Sequence, residues 1–257
     1  MKHIIMEKDG PIGIIRLNRP KVLNAINQAM AQELREAFQK FKMDEDVRVV
    51  ILTGEGRAFC TGRDLKEYDT YRVTPIKDWE ARLHGLASFS FIEEFEKPVI
   101  AAINGYALAG GCEMAAACDI RIASENVKIG QPEITRGFFP GAGATYLLPR
   151  VVGKSWALEL ILTGEPIDAA QALRIGLVNH VVPQEQLERF ARELAGKIAG
   201  KPSLVLKTAK EAVCQGEGKD LRAARSISMA LRALGESVQE KDEGVRAFVK
   251  KERSSPN

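Results

Sequence analysis

The chain has 257 residues, of which 45% are hydrophobic and 28% charged, with a formal net charge of +3. That length holds one large domain, or a domain with an appendage, and the composition is that of a folded globular chain rather than a disordered one. The charge is too mild to indicate nucleic-acid binding by itself, yet it suits a small anionic ligand held by a local basic patch.

The N-terminus, Met1-Lys2-His3-Ile4-Ile5-Met6-Glu7-Lys8, carries charges before any apolar core could act as a secretory leader. No later stretch reaches the length of a membrane span, so a cytoplasmic protein is expected. Residues 12–17 alternate and then meet Asn18-Arg19-Pro20, a strand followed by a turn. Met30, Leu34, Ala37, Phe38 and Phe41 form an apolar stripe that predicts an amphipathic helix, with Asn24 as its N-cap. Residues 47–52 are rich in β-branched side chains and predict a strand, closed by Thr53-Gly54-Glu55-Gly56. Residues 58–65 read as a short extended piece running into a turn.

A helix is predicted over residues 75–96, with Ile76, Trp79, Leu83, Leu86 and Phe91 as its stripe and Lys97-Pro98 as its stop. Residues 99–103 are a second buried strand, turned by Asn104-Gly105. Gly110-Gly111 opens a short helix through Cys118, and residues 119–123 are a third strand. Strand, glycine turn, helix and strand recur, which predicts an α/β core of stacked units. From Gly153 onward helices dominate. They are expected over residues 154–162, from a cap at Asp168 to Gly176, over 184–199, and over 202–215, 220–234 and 240–252, with a short strand at 177–182. A boundary near Gly200 divides a core of residues 1–199 from a helical region of residues 200–257.

Cys60, Cys112, Cys118 and Cys214 form no C-x-x-C pair and match no zinc spacing. His3, His84 and His180 include no pair at metal-ligand spacing on one helix. Reduced thiols and no metal are expected.

Two glycine turns carry the chemistry. One is Cys60-Thr61-Gly62-Arg63-Asp64-Leu65-Lys66, and the other runs from Asn104 to Glu113 through Ala109-Gly110-Gly111. In the second, a glycine pair leads into a helix whose first N–H groups lack internal partners and favour developing negative charge. Glu113 lies on the same helical face as Gly110, and Gln131-Pro132-Glu133 supplies a second carboxylate. Two carboxylates beside an oxyanion hole suit acid/base work next to a carbonyl. Each feature also has a plain reading. The glycine pair can serve close helix–strand packing. Glu113 can be an ordinary early-helix carboxylate, and Glu133 an ordinary loop residue. Pro140-Gly141-Ala142-Gly143 is no P-loop and reads as a turn.

The segment KPVIAAINGYALAGGCEMAAACDIRIA, residues 97–123, strongly resembles the signature region of the crotonase (enoyl-CoA hydratase/isomerase) superfamily. Leu17-Asn18-Arg19-Pro20, Leu23-Asn24-Ala25, Gly130-Gln131-Pro132-Glu133, Pro140-Gly141-Ala142-Gly143, Leu162-Thr163-Gly164 and Glu243-Gly244-Val245-Arg246-Ala247-Phe248 look like family landmarks in order. The resemblance implies a spiral of ββα units with a C-terminal helical trimerisation region. It implies backbone oxyanion donors at Arg63 and Gly110, and catalytic glutamates at Glu113 and Glu133. Lys21, Val22, Arg63, Asp64, Leu65, Lys66, Phe248 and Lys251 match positions near the CoA and acyl group, the last two reaching an adjacent subunit.

The implied reaction is hydration of a 2-enoyl-CoA, with CoA as part of the substrate and no separate cofactor. A carnitinyl-CoA-like dehydratase is the nearest alternative and an enoyl-CoA isomerase the next, although isomerases usually manage with one glutamate. A non-catalytic RNA-binding relative is the distant one. The implied assembly is a homotrimer, or a hexamer made of two trimers, with no membrane or nucleic-acid partner. Arg63 and Ala109 depart from the family pattern, in which a small residue and a Gly are usual. The Arg63 guanidinium is expected to pair with a CoA phosphate or a carboxylated acyl group.

Overall fold

The computed structural model describes residues 1–67 and 89–236. Its strands form two sheets. The larger places β1 (Ile4–Asp9), β2 (Ile12–Leu17), β3 (Val49–Gly54), β5 (Val99–Ile103), β7 (Ile120–Ser124) and β10 (His180–Val182) side by side in that order. The smaller does the same with β4 (Ala58–Cys60), β6 (Tyr106–Leu108), β8 (Lys128–Gly130) and β9 (Ile167–Asp168). β1 and β2 pair antiparallel, with Ile4 opposite Leu17, and β9 runs antiparallel to β8. The remaining neighbours are parallel.

The order follows from an alternation along the chain. After β3, β5 and β7 a turn sends the chain across to β4, β6 and β8. α3 (Gly110–Ala116) returns it from β6 to β7, and α4 (Ala144–Thr163) follows β8 and leads to β9. Each successive ββ pair adds one strand to each sheet, so the stack winds as the spiral that the family resemblance implied.

Every residue of β3 and β5 is buried, because the large sheet is covered on both faces. On one face lies α1 (Gln28–Met43), burying Met30, Leu34, Ala37, Phe38 and Phe41 in a core shared with Ile15, Leu17, Val50 and Leu52. On the other lies α6 (Leu187–Ala199). Its Leu187, Ala191, Ala195 and Ala199 recur at helical spacing and are small enough to let it settle on Ile14, Val49, Ile51, Ile100 and Ile122. The buried Lys97 ammonium closes the end of α1 by donating to the carbonyls of Phe41 and Asp44, each at 2.6 Å.

Several expected boundaries are corrected. Asn27 rather than Asn24 caps α1, its Oδ1 accepting from the Met30 N–H at 2.9 Å. Asn24 adopts a left-handed φ of 55° and serves elsewhere. The helix expected over 154–162 is the second part of α4, set off by a non-helical Gly153 (φ 77°, ψ 160°), and a first part from Ala144 that was not expected precedes it. The strand expected over 177–182 is confined to His180–Val182. Of the helix expected over 75–96, the described part is helical only in α2 (Ser90–Glu93), and the rest lies outside the described residues. The expected helix at 240–252 lies outside them too. Asp168 does cap α5 (Ala169–Arg174), accepting from the Gln171 N–H at 2.8 Å. α7 (Ser203–Gly216) and α8 (Leu221–Gly235) pack together, and Lys210 on α7 reaches back to Asp119 at 2.7 Å. Cys60, Cys112 and Cys118 are buried and Cys214 is exposed, all four as free thiols.

Candidate active site

The parallel strands β4, β6 and β8 end side by side at Cys60, Leu108 and Gly130. The segments leaving those three ends carry Arg63, Gly110 and Glu133. One edge of the small sheet therefore gathers groups that lie far apart in sequence.

Gly110 is the first residue of α3, so its N–H has no acceptor within the helix and points out along the positive end of the helix dipole. The Gly62–Arg63 segment lies directly against it. A Cβ placed on Gly62 would stand 3.1 Å from the Gly110 nitrogen and 2.7 Å from the Ala109 Cβ. Only glycine, at φ 85°, fits there. The glycine pair itself divides its labour. A Cβ on Gly111 would meet the Cys60 carbonyl oxygen at 2.1 Å, so Gly111 serves packing, whereas a Cβ on Gly110 would make ordinary contacts with Gly62 and the Phe89 ring.

The landmark residues 17–25 brace this loop. Ile26 N–H donates to the Gly62 carbonyl at 2.7 Å, and Asp64 N–H donates to the Ile26 carbonyl at 2.9 Å, on either side of Arg63. Arg19 pairs with the Asp64 carboxylate at 2.9 Å and also donates to the Ala25 carbonyl. Buried Asn24 accepts from the Arg19 N–H at 2.8 Å and donates to the Ala58 carbonyl at 2.7 Å. The Asp64 carboxylate is thus held by Arg19 and the Lys66 N–H within the loop. Lys21 lies in the short 3-10 turn Pro20–Val22 and is exposed, as are Arg63, Leu65 and Lys66, while Val22 is half-buried. Phe248 and Lys251 lie outside the described residues.

Ala109 adopts φ 54° and ψ −126°, a conformation that costs an L residue about 1–3 kcal/mol. The strain sits on the peptide that presents the Gly110 N–H. Ala109→Gly removes it, less the greater chain entropy of glycine when unfolded. The expected result is a gain of about 1 kcal/mol, seen as a rise of roughly 2–4 °C in melting temperature. A lower melting temperature would mean that the Ala109 methyl contributes more by packing than its backbone costs.

Glu113 is 2% exposed. Its Oε1 accepts from the N–H groups of Ala142 at 2.8 Å and Ala144 at 2.9 Å. The Pro140–Gly143 stretch, a plain turn in sequence terms, therefore supplies main-chain donors to a buried carboxylate. Nothing in the side chains of Ala142 or Ala144 announces this. Glu133 lies in the 3-10 turn Pro132–Arg136 that follows β8. Burial pushes its carboxyl up to about 7, its own backbone N–H opposes that rise, and the nearby charge of Glu113 adds to it. Gln131 is 1% exposed, and with its amide turned to donate, the amide nitrogen lies 3.0 Å from both Glu133 oxygens. Phe89 and Tyr146 are neighbours of this site that the sequence motifs did not flag, and Gln131 was part of a motif but had no role assigned to it.

A carboxylate fixed by two N–H groups, a second carboxyl titrating near neutrality, and a helix N-terminus together suit proton transfer beside a polarised carbonyl. The model of the enoyl-CoA hydratase/isomerase family matches residues 7–256. The chain is 40% identical over 256 residues to the short-chain-enoyl-CoA hydratase of Clostridium acetobutylicum, covering 98% of this chain and 97% of that protein. It is 39% identical over 255 residues to the crotonyl-CoA hydratase of Syntrophomonas wolfei, covering 99% and 97% of the two chains. The solved structure of an enoyl-CoA hydratase from Bacillus anthracis superposes with a TM-score of 0.91 at 37% identity, covering 97% of this chain and 96% of that one. The chain accordingly belongs to the enoyl-CoA hydratase/isomerase family.

Proposed function

We infer that the chain is an enoyl-CoA hydratase, a hydro-lyase that adds water reversibly across the 2,3 double bond of a 2-enoyl-CoA thioester. The observation that carries this reading is buried Glu113 close enough to Glu133 to help raise its carboxyl to about 7, beside the strand end from which Gly110 opens α3. The full-length similarity to proteins named as hydratases supports it.

In this reading the thioester oxygen accepts hydrogen bonds from the N–H groups of Arg63 and Gly110. Charge grows on that oxygen as water adds at C3, so the two donors hold the transition state more tightly than the substrate. Glu113, oriented by Ala142 and Ala144, takes a proton from the water. Glu133 gives a proton to C2. After one turnover Glu113 holds the proton that Glu133 has lost, and dehydration runs the same path backwards. Both directions therefore start from a pair of carboxyls sharing one proton.

The pH dependence follows with a definite sign. Above pH about 7 the Glu133 carboxyl ionises, and the proton for C2 is gone. The expected result is a kcat/KM for crotonyl-CoA, followed by loss of the enoyl absorbance, that falls as pH rises through about 7. Dehydration of the 3-hydroxyacyl product falls over the same range. A profile flat across neutral pH would remove Glu133 from the role of proton donor, and no turnover of any 2-enoyl-CoA would end the reading altogether.

The exposed Lys21, Arg63 and Lys66 supply positive charge suited to CoA phosphates, and Phe248 and Lys251 join them from the C-terminal end of a neighbouring subunit. Residues 200–257 form the oligomerisation region of a homotrimer, or of a hexamer of two trimers. Val213, Leu221 and Met229 on α7 and α8 are 75%, 73% and 65% exposed in the single chain, which supports burial against another copy. The four free thiols support a reducing, cytoplasmic setting.

A further inference from the structure

The chemistry above leaves a third carboxyl group unused. Glu93 ends α2, and the Tyr146 hydroxyl donates to its Oε1 at 2.9 Å. The pair joins two elements that meet beside the site. α2 begins directly after Phe89, whose ring stands 3.8 Å from where a Cβ on Gly110 would be. Tyr146 lies on the first turn of α4, two residues beyond Ala144, whose N–H binds Glu113. Its hydroxyl stands 3.7 Å from where a Cβ on Gly143 would be. Gly143, at φ 150° and ψ −22°, separates the two residues that grip Glu113, and its carbonyl accepts from the N–H groups of Tyr146 and Leu147 at 3.1 and 2.8 Å. A turn with glycine at 141 and 143 has unusual backbone freedom, so its working shape must be imposed from outside.

We propose that the Tyr146–Glu93 hydrogen bond is a latch that holds residues 142–144 in the shape that grips Glu113, making Tyr146 a positioning residue for that carboxylate. The inference rests on Glu113 acting on the attacking water. When the latch opens, the first turn of α4 drifts from α2, the Ala142 and Ala144 donors lose their aim, and the carboxylate turns away from C3. The CoA contacts and the oxyanion donors are untouched, so the loss falls on kcat and spares KM. The groups facing the latch are Glu94 and Arg150 around Glu93, and Glu113 beyond Tyr146, with Glu133 facing Glu113 from the 3-10 turn. Burial and the bond to Glu93 both push the Tyr146 hydroxyl up, so it stays a donor through neutral pH.

The test is steady-state hydration of crotonyl-CoA by the full chain and by Tyr146→Phe, Glu93→Leu and Glu93→Gln, each checked for a cooperative thermal melt. Tyr146→Phe and Glu93→Leu are expected to lower kcat about tenfold with KM little changed, the loss of one well-placed hydrogen bond at a site sensitive to small misplacement. Glu93→Gln keeps an oxygen that accepts from Tyr146 and is expected to restore most of kcat. Full activity in Tyr146→Phe overturns the latch, as does a Glu93→Gln variant as slow as Glu93→Leu. Glu113→Gln, measured alongside, separates the two levels. If it is inactive while Tyr146→Phe is fully active, only the latch fails. If it keeps full activity, the role of Glu113 fails and the latch with it.

Discussion

Glu113→Gln is expected to lower kcat by on the order of 10²–10⁴-fold while leaving the protein folded. Glutamine preserves the shape of the side chain, and its carbonyl oxygen can still accept from the Ala142 and Ala144 N–H groups. What it cannot do is accept a proton from water. The substitution carries a second signature. Glu113 contributes to raising the Glu133 carboxyl, after burial as the larger cause. Without that charge, Glu133 ionises at lower pH, and the alkaline limb of the residual activity shifts toward acid. A loss of rate without that shift would mean that the two carboxyls do not sense each other. Stopped-flow or steady-state hydration measured across neutral pH reads both effects.

Removing the Gly110 N–H is expected to cost on the order of 10²–10³-fold in kcat/KM, or about 3 kcal/mol of barrier. Gly110→Pro does this at a position where proline is best tolerated, because the first helical residue has no intrahelical bond to lose. Gly110→Ala is the matched control. Its Cβ would lie 3.4 Å from the Gly62 Cα, an ordinary contact, and its N–H is intact. Equal rates in the two variants would show that the amide does not bind the reacting oxygen. A large gap between them, with both folded by thermal melt, is the expected outcome. The defect should persist with every acyl chain, since the donor acts on the thioester rather than on the tail.

Periodicity made the core legible. The Met30, Leu34, Phe38 stripe and the β-branched run of β3 lie where their spacing put them, because burial on one face or on both leaves a direct mark on residue type. Side-chain carboxylates were legible too, as Glu113 and Glu133 stand out by charge among apolar or glycine-rich neighbours. Main-chain roles were not. Asn24 looked like a helix cap because Asn favours caps, yet it folds at positive φ to tie the Arg19 turn to Ala58. Residues 140–143 looked like a turn and are one, but the donors they offer Glu113 belong to peptide groups that any residue carries. Pro149 and Gly153 broke the helical pattern early in α4, so its first half, including Tyr146, was missed. The bonds from Glu93 to Tyr146 and from Arg19 to Asp64 join segments 53 and 45 residues apart, a separation that local patterns do not encode.

Each successive strand end of the small sheet delivers its own loop, so the groups of the site are spread over levels of the coil. In the proposed chemistry the first two levels carry the oxyanion donors Arg63 and Gly110, the second adds Glu113, and the third carries Glu133. Rewriting residues 131–136 could therefore redirect where a proton lands on the enolate without disturbing the grip on its oxygen. An architecture of this kind lets selection explore new outcomes of one shared intermediate, one level at a time.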